Sequence, residues 1–279
     1  DLTVVCIDKD HFRIISSAAT RERDKFHIKK YLAKDLELKD VTDDFCVFGV
    51  FGPKSRALMK SISKDDFEND EFRFGTAKYI SIEGIKIWTQ RLSYVGELGF
   101  ELYVRLKDAK KIYELLIDKG KDFNLSNCGM HAMDIMRMES GFLHWGHDIS
   151  PEENQYQAGL SFTISSKKED EFIGKKALEK IKKEKIKSRF AMFTLKDSKP
   201  GEPLLLHDEP IYLENNIIGR STSGNYSFNF KKNLAFGYIN NDISNDELHK
   251  KDLFIEVEKK KYPIEIINKP LKQTNFKNN

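Results

Sequence analysis

The segment at residues 93–104, SYVGELGFELYV, constrains the fold more than any other part of the sequence. Gly96 and Gly99 permit a tight turn or a close approach of the backbone to another group. Residues 100–104 then alternate apolar and polar, as in a strand with one buried face. Glu101 falls on the face turned away from the core. Two interpretations stay open: a ligand-site wall with its carboxylate on a rigid strand, or an ordinary hairpin loop with solvated carboxylates.

Length and charge narrow the class of protein. A chain of 279 residues with 39% hydrophobic residues has enough material for one large core or two modest ones. Charged residues make up 33% but nearly cancel, to a net charge of +3, which argues against a dedicated nucleic-acid binder. No apolar run approaches the roughly 20 residues that cross a bilayer, and no secretory signal is evident. We therefore expect neither a nucleic-acid nor a membrane partner.

The cysteines and the first residues bear on location and completeness. Cys6, Cys46 and Cys128 are odd in number and far apart, and they lack CxxC spacing. The pattern indicates neither a disulfide framework nor a zinc site and favours a reducing, cytoplasmic location. The chain begins at Asp1 inside a strand-like run, which we interpret as a fragment or processed product of a domain begun upstream.

Hydrophobic periodicity predicts an α+β first domain. The predicted elements, in order, are strands at 2–7 and 12–16, a helix at 20–32, a strand at 45–51, a helix entered through Pro53, strands at 72–82 and 85–92, and helices at 108–120 and 128–140. Thr20 and Asp108 are the candidate N-caps, and Gly120 ends its helix. Ala57, Leu58 and Ile62 are predicted on the inner side of the helix after Pro53.

A second, all-β domain is predicted after a segment rich in Lys and Glu at 165–188. Short strands separated by turn residues are typical of a small β-barrel or sandwich; they are expected at 189–196, 210–213, 216–221, 234–239, 253–257 and 261–267. We place the first domain at 1–180 and the second at 187–279.

The helix at 128–140 carries apolar residues around much of its circumference and is predicted to be mostly buried. Its methionines, Met130 among them, are interpreted as core filler rather than a cofactor box. Asp134 and Arg137 lie three residues apart on one face, so we expect them to pair. Gly141 closes the helix.

The next eight residues, GFLHWGHD at 141–148, concentrate chemically useful side chains. Metal binding is one interpretation, because His144 and His147 are three residues apart with Asp148 adjacent. No further ligand set stands out, so no metal site is predicted. The favoured interpretation is a loop that packs Trp145 against a ligand or the neighbouring domain, with Asp148 as a turn cap.

No GxSxG elbow, GxxxxGK[ST] phosphate loop or GxGxxG after a strand is present, which excludes the simplest hydrolase and nucleotide-binding readings. Eight other motifs occur together in one order: DLTV at 1–4, GPKS at 52–55, SYVGELGFE at 93–101, MRME at 136–139, GHDI at 146–149, AGL at 158–160, FIG at 172–174 and GRSTSG at 219–224. In order and spacing the chain resembles the glycine-cleavage T-protein family over essentially its whole length. It is most similar to the folate-binding C-terminal portion of dimethylglycine and sarcosine dehydrogenases.

The resemblance implies a protein that binds tetrahydrofolate and gives it a one-carbon unit, forming 5,10-methylenetetrahydrofolate. By motif position, Glu101 is the carboxylate that accepts two N–H groups of the pterin edge. Asp1 matches the acidic group near the reacting nitrogens and is the candidate catalytic residue. The remaining residues implied to contact folate are Tyr94, Trp145, Asp148 and Phe276; for Asp148 a structural cap is the alternative.

Three departures from the family pattern stand out. Met133 replaces an arginine of stand-alone aminomethyltransferases, as in dehydrogenase-fused relatives, so a charge contact to folate is missing or supplied elsewhere. Gln157 replaces a glutamate. The family's folate domain also starts many tens of residues before Asp1, so we expect an N-terminally truncated domain followed by the C-terminal barrel.

The leading functional prediction is therefore folate-dependent one-carbon transfer from a methylated-amine donor, with FAD only in an upstream flavin dehydrogenase domain. A stand-alone aminomethyltransferase is the alternative enzyme, against which Met133 counts. A folate-binding regulatory protein without transfer chemistry is the third, because a fold does not imply an activity.

Overall fold

The computed structural model describes residues 1–165 and 171–272. They form two compact units, the first Asp1–Gly129 and the second beginning at Met130. The domain boundary predicted from sequence, between 180 and 187, stays a prediction.

The first unit contains a hairpin, a four-stranded sheet and three helices. Its elements are β1 (Thr3–Asp8), β2 (His11–Ile15), α1 (Arg21–Tyr31), β3 (Phe45–Phe51), α2 (Ser55–Ile62), β4 (Ala77–Ile82), β5 (Ile85–Gln90), β6 (Gly99–Arg105) and α3 (Leu106–Gly120), with 3₁₀ turns at Ala18–Thr20, Thr42–Asp44 and Lys121–Phe123. β1 pairs with β2, and the antiparallel sheet has the order β3-β6-β5-β4. The predicted β-β-α opening and the bounds of β3 are confirmed.

The core of this unit lies on one face of the sheet, beneath α2 and α3. Phe100, Leu102 and Val104 of β6 are fully buried there together with Leu58 and Ile112 of the two helices. The alternation predicted for β6 is therefore confirmed, because every second side chain enters the core. The other face of the sheet stays available for polar groups.

Several local predictions were wrong. Ala57 is exposed, because α2 turns Met59 inward instead. α2 begins at Ser55 after the N-cap Lys54, so Pro53 lies outside the helix. Asp108 lies in the first turn of α3, whose N-cap is Arg105, where its charge faces the positive end of the helix dipole.

Thr20 does stand at the N-cap of α1, but it makes no side-chain cap bond. Its hydroxyl instead donates to Asp24 at 2.5 Å. Gly120 is the last residue of α3, as predicted.

The second unit is built around a closed six-stranded barrel, which confirms the prediction for the C-terminal region. Its elements are α4 (Met130–Glu139), a 3₁₀ turn (Ser161–Thr163), α5 (Lys175–Lys183), β7 (Ser188–Leu195), β8 (Pro210–Leu213), β9 (Asn216–Ser227), β10 (Lys232–Asn240), α6 (Asn245–Lys250), β11 (Leu253–Val257) and β12 (Lys260–Ile267). The strands close in the order β10-β7-β12-β11-β8-β9. β9 runs six residues past the predicted end at 221, to Ser227.

The burial of α4 differs from the prediction. Met130 is 70% exposed, whereas the charged Arg137 and Glu139 are each only 1% exposed. Both charged side chains are hydrogen-bonded by polar groups of the same unit, which makes their burial possible. A prediction that assumes only apolar residues are buried therefore misses this face of α4. Gly141 follows the helix with φ +74°, and a Cβ there would lie 2.5 Å from Pro270 Cγ. Glycine is therefore required where the helix closes.

Candidate functional site

Glu101 carries the principal carboxylate of the sheet face that points away from the core. It is partly buried, and its Oε2 accepts a hydrogen bond from the Tyr103 hydroxyl at 2.9 Å. Burial raises the pKa of Glu101, and the bond from Tyr103 offsets only part of that shift. Burial and the nearby carboxylate also raise the pKa of Tyr103, which keeps this phenol a hydrogen-bond donor. The pair therefore offers one carboxylate with acceptor capacity to spare.

Aromatic rings flank this carboxylate. On β3, Gly49 lies directly opposite Glu101, and Phe51 lies opposite Gly99. A Cβ on Gly49 would lie 2.4 Å from the Phe51 ring, and one on Gly99 would lie 2.0 Å from it. The two glycines thus let the Phe51 ring lie against the backbone beside Glu101.

The next strand adds polar and aromatic groups to the same face. Gln90 lies opposite Glu101, and Trp88 lies opposite Tyr103. Tyr79 of β4 lies opposite Trp88, with ring centroids 4.9 Å apart. We call this surface, formed by Phe51, Gln90, Trp88, Glu101 and Tyr103, the Glu101 face.

Arg13 of β2 lies over the distal end of the Glu101 face. Its guanidinium carbon is 5.3 Å from the ring centroids of Phe45 and Trp88 and 5.7 Å from that of Tyr103. Burial lowers the pKa of this guanidinium, and its Nη1 is buried with no hydrogen-bond partner in residues 1–165 and 171–272. The hairpin thus contributes a cation to an aromatic surface.

The loop before β6 holds the other acidic residue of the opening motif. Gly96 has φ +66°, and the Glu97 backbone N–H donates to Ser93 Oγ at 3.1 Å. Glu97 borders a different surface depression, which is also lined by Arg56, Lys60 and Glu68. Tyr94 lies in the same loop and is partly buried. The two acids of the motif therefore have different surroundings.

Asp148, in the second unit, lies in a buried polar network, of which the sequence predicted only the Asp134–Arg137 pair. Arg137 Nε donates to Asp134 at 2.9 Å, which confirms the predicted pair. The guanidinium also donates to Asp148 Oδ2 through Nη1 and to Ser223 Oγ through Nη2, the latter at 2.7 Å. The partner that sequence spacing missed, Asp148, is eleven residues from Arg137 and fully buried.

Four more hydrogen bonds complete the surroundings of Asp148. Its Oδ1 accepts from Thr222 at 2.6 Å and from Ser223 at 2.8 Å, and its Oδ2 accepts from the His144 backbone N–H at 2.9 Å. Tyr238 donates to its backbone oxygen at 2.8 Å. The carboxylate thus ties α4, the loop after it and β9 together, and we call this set the Arg137–Asp148 network. A folate contact by Asp148 stays a prediction, and this conformation gives Asp148 a structural role.

The histidines of the 141–148 loop pack on each other. The ring centroids of His144 and His147 are 4.6 Å apart, and those of His147 and His207 are 6.0 Å apart. Burial, followed by the charges of His147 and Arg137, lowers the pKa of His144. Within residues 1–165 and 171–272, no group of three or more His, Cys, Asp or Glu side chains is arranged to hold a metal ion. Trp145 is partly buried and forms a parallel bridge to Ile149.

Comparison with known proteins decides the family. Residues 1–168 match the model of the GCVT N-terminal domain, and residues 189–272 match that of the glycine cleavage T-protein C-terminal barrel domain. The chain belongs to the glycine cleavage T-protein family. Its members bind tetrahydrofolate, and membership makes this chain an aminomethyltransferase-like, folate-dependent domain.

Relatives of this T-protein-like chain include enzymes of two sizes. It is 32% identical over 275 residues to human mitochondrial dimethylglycine dehydrogenase, covering 97% of this chain and 31% of the dehydrogenase. It is 30% identical over 278 residues to the aminomethyltransferase of Alkaliphilus metalliredigens, covering 99% of this chain and 73% of that enzyme. The chain thus spans about a third of the dehydrogenase and most of the aminomethyltransferase.

A solved structure shows the same T-protein fold. The glycine cleavage system aminomethyltransferase T of Bartonella henselae matches with a TM-score of 0.82 and 21% sequence identity, covering 98% of this chain and 72% of that one.

Within residues 1–165 and 171–272, no helix is both long and apolar enough to cross a membrane.

Other residues predicted from the T-protein resemblance have varied positions. Asp1 is exposed. In the described part of the chain, no recorded hydrogen bond or ion pair joins Asp1 to Glu101. Phe276 lies outside the described residues. Their functional roles stay predictions.

The departure at Gln157 has a structural explanation. Its Nε2 donates to Ser188 Oγ at 2.8 Å, and its Oε1 accepts from Asn154 Nδ2 at 2.7 Å. An amide supplies both the donor and the acceptor that this position uses, whereas an ionised glutamate would only accept. Met133, the other departure, is partly buried on α4.

Proposed function

We propose that this chain binds tetrahydrofolate on the Glu101 face and promotes transfer of a one-carbon unit to it, forming 5,10-methylenetetrahydrofolate. The unit is an iminium or formaldehyde-level group derived from a methylated amine. Membership of the T-protein family supports the ligand, and the Glu101 carboxylate is the single observation that carries the assignment.

The Glu101 carboxylate suits the pyrimidine edge of a pterin. That edge presents a ring N–H and an amino N–H side by side, and a carboxylate accepts both in a charge-assisted, two-point interaction. Glu101 is held on a strand and accepts a hydrogen bond from the Tyr103 hydroxyl. That bond leaves the carboxylate with further lone pairs for a ligand. Its position is set before a ligand arrives, which limits the entropy lost on binding.

The surrounding rings suit the flat body of the same ligand. Phe51, Trp88 and Tyr103 provide aromatic surface on the Glu101 face, and such surface favours stacking with a planar heterocycle. We include Tyr94, from the adjoining loop, as a wall of this site. A polar edge held by a carboxylate and an apolar body held by rings is the usual composition of a small-molecule site.

The protein's part in the reaction is positioning and proton management. Bound tetrahydrofolate supplies the nucleophilic nitrogens that accept the one-carbon unit. Glu101 orients the ring, and Asp1, by its place in the family motif, would hold an amine proton and stabilise developing positive charge.

We further propose that the chain acts as the C-terminal part of a dimethylglycine or sarcosine dehydrogenase-like enzyme. The 32% identity to human dimethylglycine dehydrogenase and the presence of Met133 support this assignment. In such an enzyme an upstream FAD-dependent domain oxidises the amine and delivers the iminium. The stand-alone aminomethyltransferase is the second candidate, supported by 30% identity across 99% of the chain. A non-catalytic folate-binding regulator is the outcome if binding occurs without transfer by either route.

Calorimetric titration with tetrahydrofolate under anaerobic conditions tests the ligand and the role of Glu101. We expect Glu101→Gln to weaken binding by about 1.5 to 3 kcal/mol, the range for a hydrogen bond to a charged group. Glu97→Gln is the matched control, since it removes the same charge from the neighbouring loop, and it should bind like wild type. Equal affinities for the wild type and Glu101→Gln would refute the pterin assignment.

The donor is tested separately by supplying the one-carbon unit in two forms. Formation of 5,10-methylenetetrahydrofolate from formaldehyde, or from an amine with a flavin dehydrogenase, supports the dehydrogenase-like assignment if it is faster with this chain than in the same mixture without it, because formaldehyde also condenses with tetrahydrofolate unaided. Formation only from an aminomethylated lipoyl carrier supports the stand-alone enzyme instead.

A further inference from the structure

Within the part of the chain that the structure describes, the amide of Gln90 is buried without a hydrogen-bond partner. The side chain is 1% exposed, and neither its Nε2 nor its Oε1 has a partner in the structure. A buried amide in that condition is unfavourable, because folding removes its bonds to water without replacing them. Such groups are uncommon in native proteins and call for an explanation such as a role in catalysis or binding.

The position of Gln90 connects it to the proposed ligand. β5 pairs with β6 so that Gln90 lies directly opposite Glu101. Directly opposed residues place their side chains on one face, with Cβ atoms about 4.5 to 5.5 Å apart. That spacing suits two side chains that contact adjacent groups of one small ring.

Other orphaned groups occur on the same surface. Trp88 Nε1 and Arg13 Nη1 are also buried and have no hydrogen-bond partner among the described residues, and both belong to groups that meet at the Glu101 face. By contrast, Gln157 uses its amide fully, with bonds to Ser188 and Asn154. The difference between the two glutamines is that only Gln90 stands beside the candidate ligand carboxylate.

We propose that Gln90 is a second ligand-binding residue, whose amide hydrogen-bonds the same heterocycle that Glu101 holds. This inference rests on the proposed function. Where Glu101 accepts the ring N–H and amino N–H of the pterin, the neighbouring carbonyl oxygen needs a donor, and Gln90 Nε2 supplies one. Oε1 supplies an acceptor for a further N–H of the ring. Gln90 thereby selects a ligand edge that alternates donors and acceptors.

The substitution Gln90→Met gives a signature that a structural residue would not give. Methionine has a similar length and no hydrogen-bonding amide, so the free protein should unfold at the same temperature as wild type or at a higher one. Tetrahydrofolate affinity should fall about tenfold, as expected when hydrogen bonds to a bound ligand are lost. Gln90→Met should thus lower tetrahydrofolate affinity without lowering the unfolding temperature of the free protein.

Thr89→Val is the matched control. Thr89 is the preceding residue of β5 and is fully buried, and its hydroxyl also lacks a hydrogen-bond partner in the described part of the chain. It lies opposite Leu102, on the core face of the sheet. Removing this orphaned hydroxyl should leave tetrahydrofolate affinity at the wild-type value.

Calorimetry on wild type, Glu101→Gln, Gln90→Met and Thr89→Val separates the outcomes. If wild type binds and Glu101→Gln binds weakly while Gln90→Met matches wild type, the role of Gln90 is refuted and the proposed function stands. If wild type does not bind tetrahydrofolate, both fail.

A measurement on wild type covers the case in which Gln90→Met does not fold. With nitrogen-15 glutamine labelling, the side-chain amide protons of Gln90 should shift and gain protection from solvent exchange on addition of tetrahydrofolate. Unchanged signals at a saturating ligand concentration would overturn the proposal.

Discussion

The Glu101 face and the Arg137–Asp148 network both bury charged or polar side chains, but they satisfy them differently. Both oxygens of Asp148 are hydrogen-bonded, by Arg137, Thr222, Ser223 and a backbone N–H. On the Glu101 face, Glu101 accepts a hydrogen bond from Tyr103, and the Gln90 amide has no partner among residues 1–165 and 171–272. A saturated network holds a structure together, whereas the unsaturated groups on the Glu101 face leave hydrogen-bonding capacity that the proposed ligand would use.

The largest effect should come from breaking the saturated network. Arg137→Met leaves the fully buried Asp148 carboxylate without its counter-ion, and losing one partner of a buried pair costs about 3 to 5 kcal/mol. We expect the free energy of unfolding, measured by urea denaturation, to fall by that amount. Arg23→Met removes an exposed arginine and should change it by less than about 1 kcal/mol. A loss for Arg137→Met no larger than the control's would show that the network contributes little to stability.

A smaller effect should follow from removing the cation over the aromatic rings. Arg13→Met loses the interactions with Phe45, Trp88 and Tyr103 but also removes a buried, unpartnered Nη1. The loss of three ring contacts outweighs the gain from removing one N–H group. We therefore expect a net destabilisation of about 0.5 to 2 kcal/mol, the range for a cation–π contact. Thermal unfolding of Arg13→Met beside Arg13→Lys, which retains the charge, tests this. Equal loss in both variants would assign the effect to packing of the guanidinium rather than to its charge.

The smallest stability effect should come from the protonation of Glu101. Burial raises its pKa in the folded state above the usual 4.5. The folded protein therefore binds this proton more readily than the unfolded chain, and the carboxylate opposes folding once the pH exceeds the folded pKa. Near pH 7, Glu101→Gln should be more stable than wild type, and this advantage should shrink as the pH falls toward the unfolded pKa.

The same proton should oppose ligand binding. Tetrahydrofolate affinity of the wild type should decrease as the pH falls through the raised pKa of Glu101, by up to about tenfold per pH unit for one linked proton. Calorimetry across this range should show no such component in Glu101→Gln. If both proteins have the same pH profile, the ionised form of Glu101 is not the one that binds.

Much of the fold was predictable because its local signals agreed with one another. The barrel strands are short runs separated by turn residues, β6 alternates between its two faces, and β3 has the predicted bounds. The helix predictions failed in detail, as at Ala57 and Asp108, because burial and capping depend on which neighbour a helix meets. Likewise, Arg137 and Glu139 are buried in α4 because β9 and the residues following it supply Ser223, Ser227 and Asn229 as partners.

The sequence by itself determined the family, the α+β architecture with its barrel, and the side of β6 on which Glu101 lies, since these follow from local periodicity and ordered motifs. Only the tertiary structure showed that Asp148 is saturated by Arg137 and two hydroxyls and that Gln90 lies across from Glu101, its amide unpaired as far as the described residues extend. Only the structure could show this, because which groups form a hydrogen bond depends on their proximity in space. Sequence spacing reports proximity only within a few residues, and strand register brings together residues eleven positions apart, such as Gln90 and Glu101.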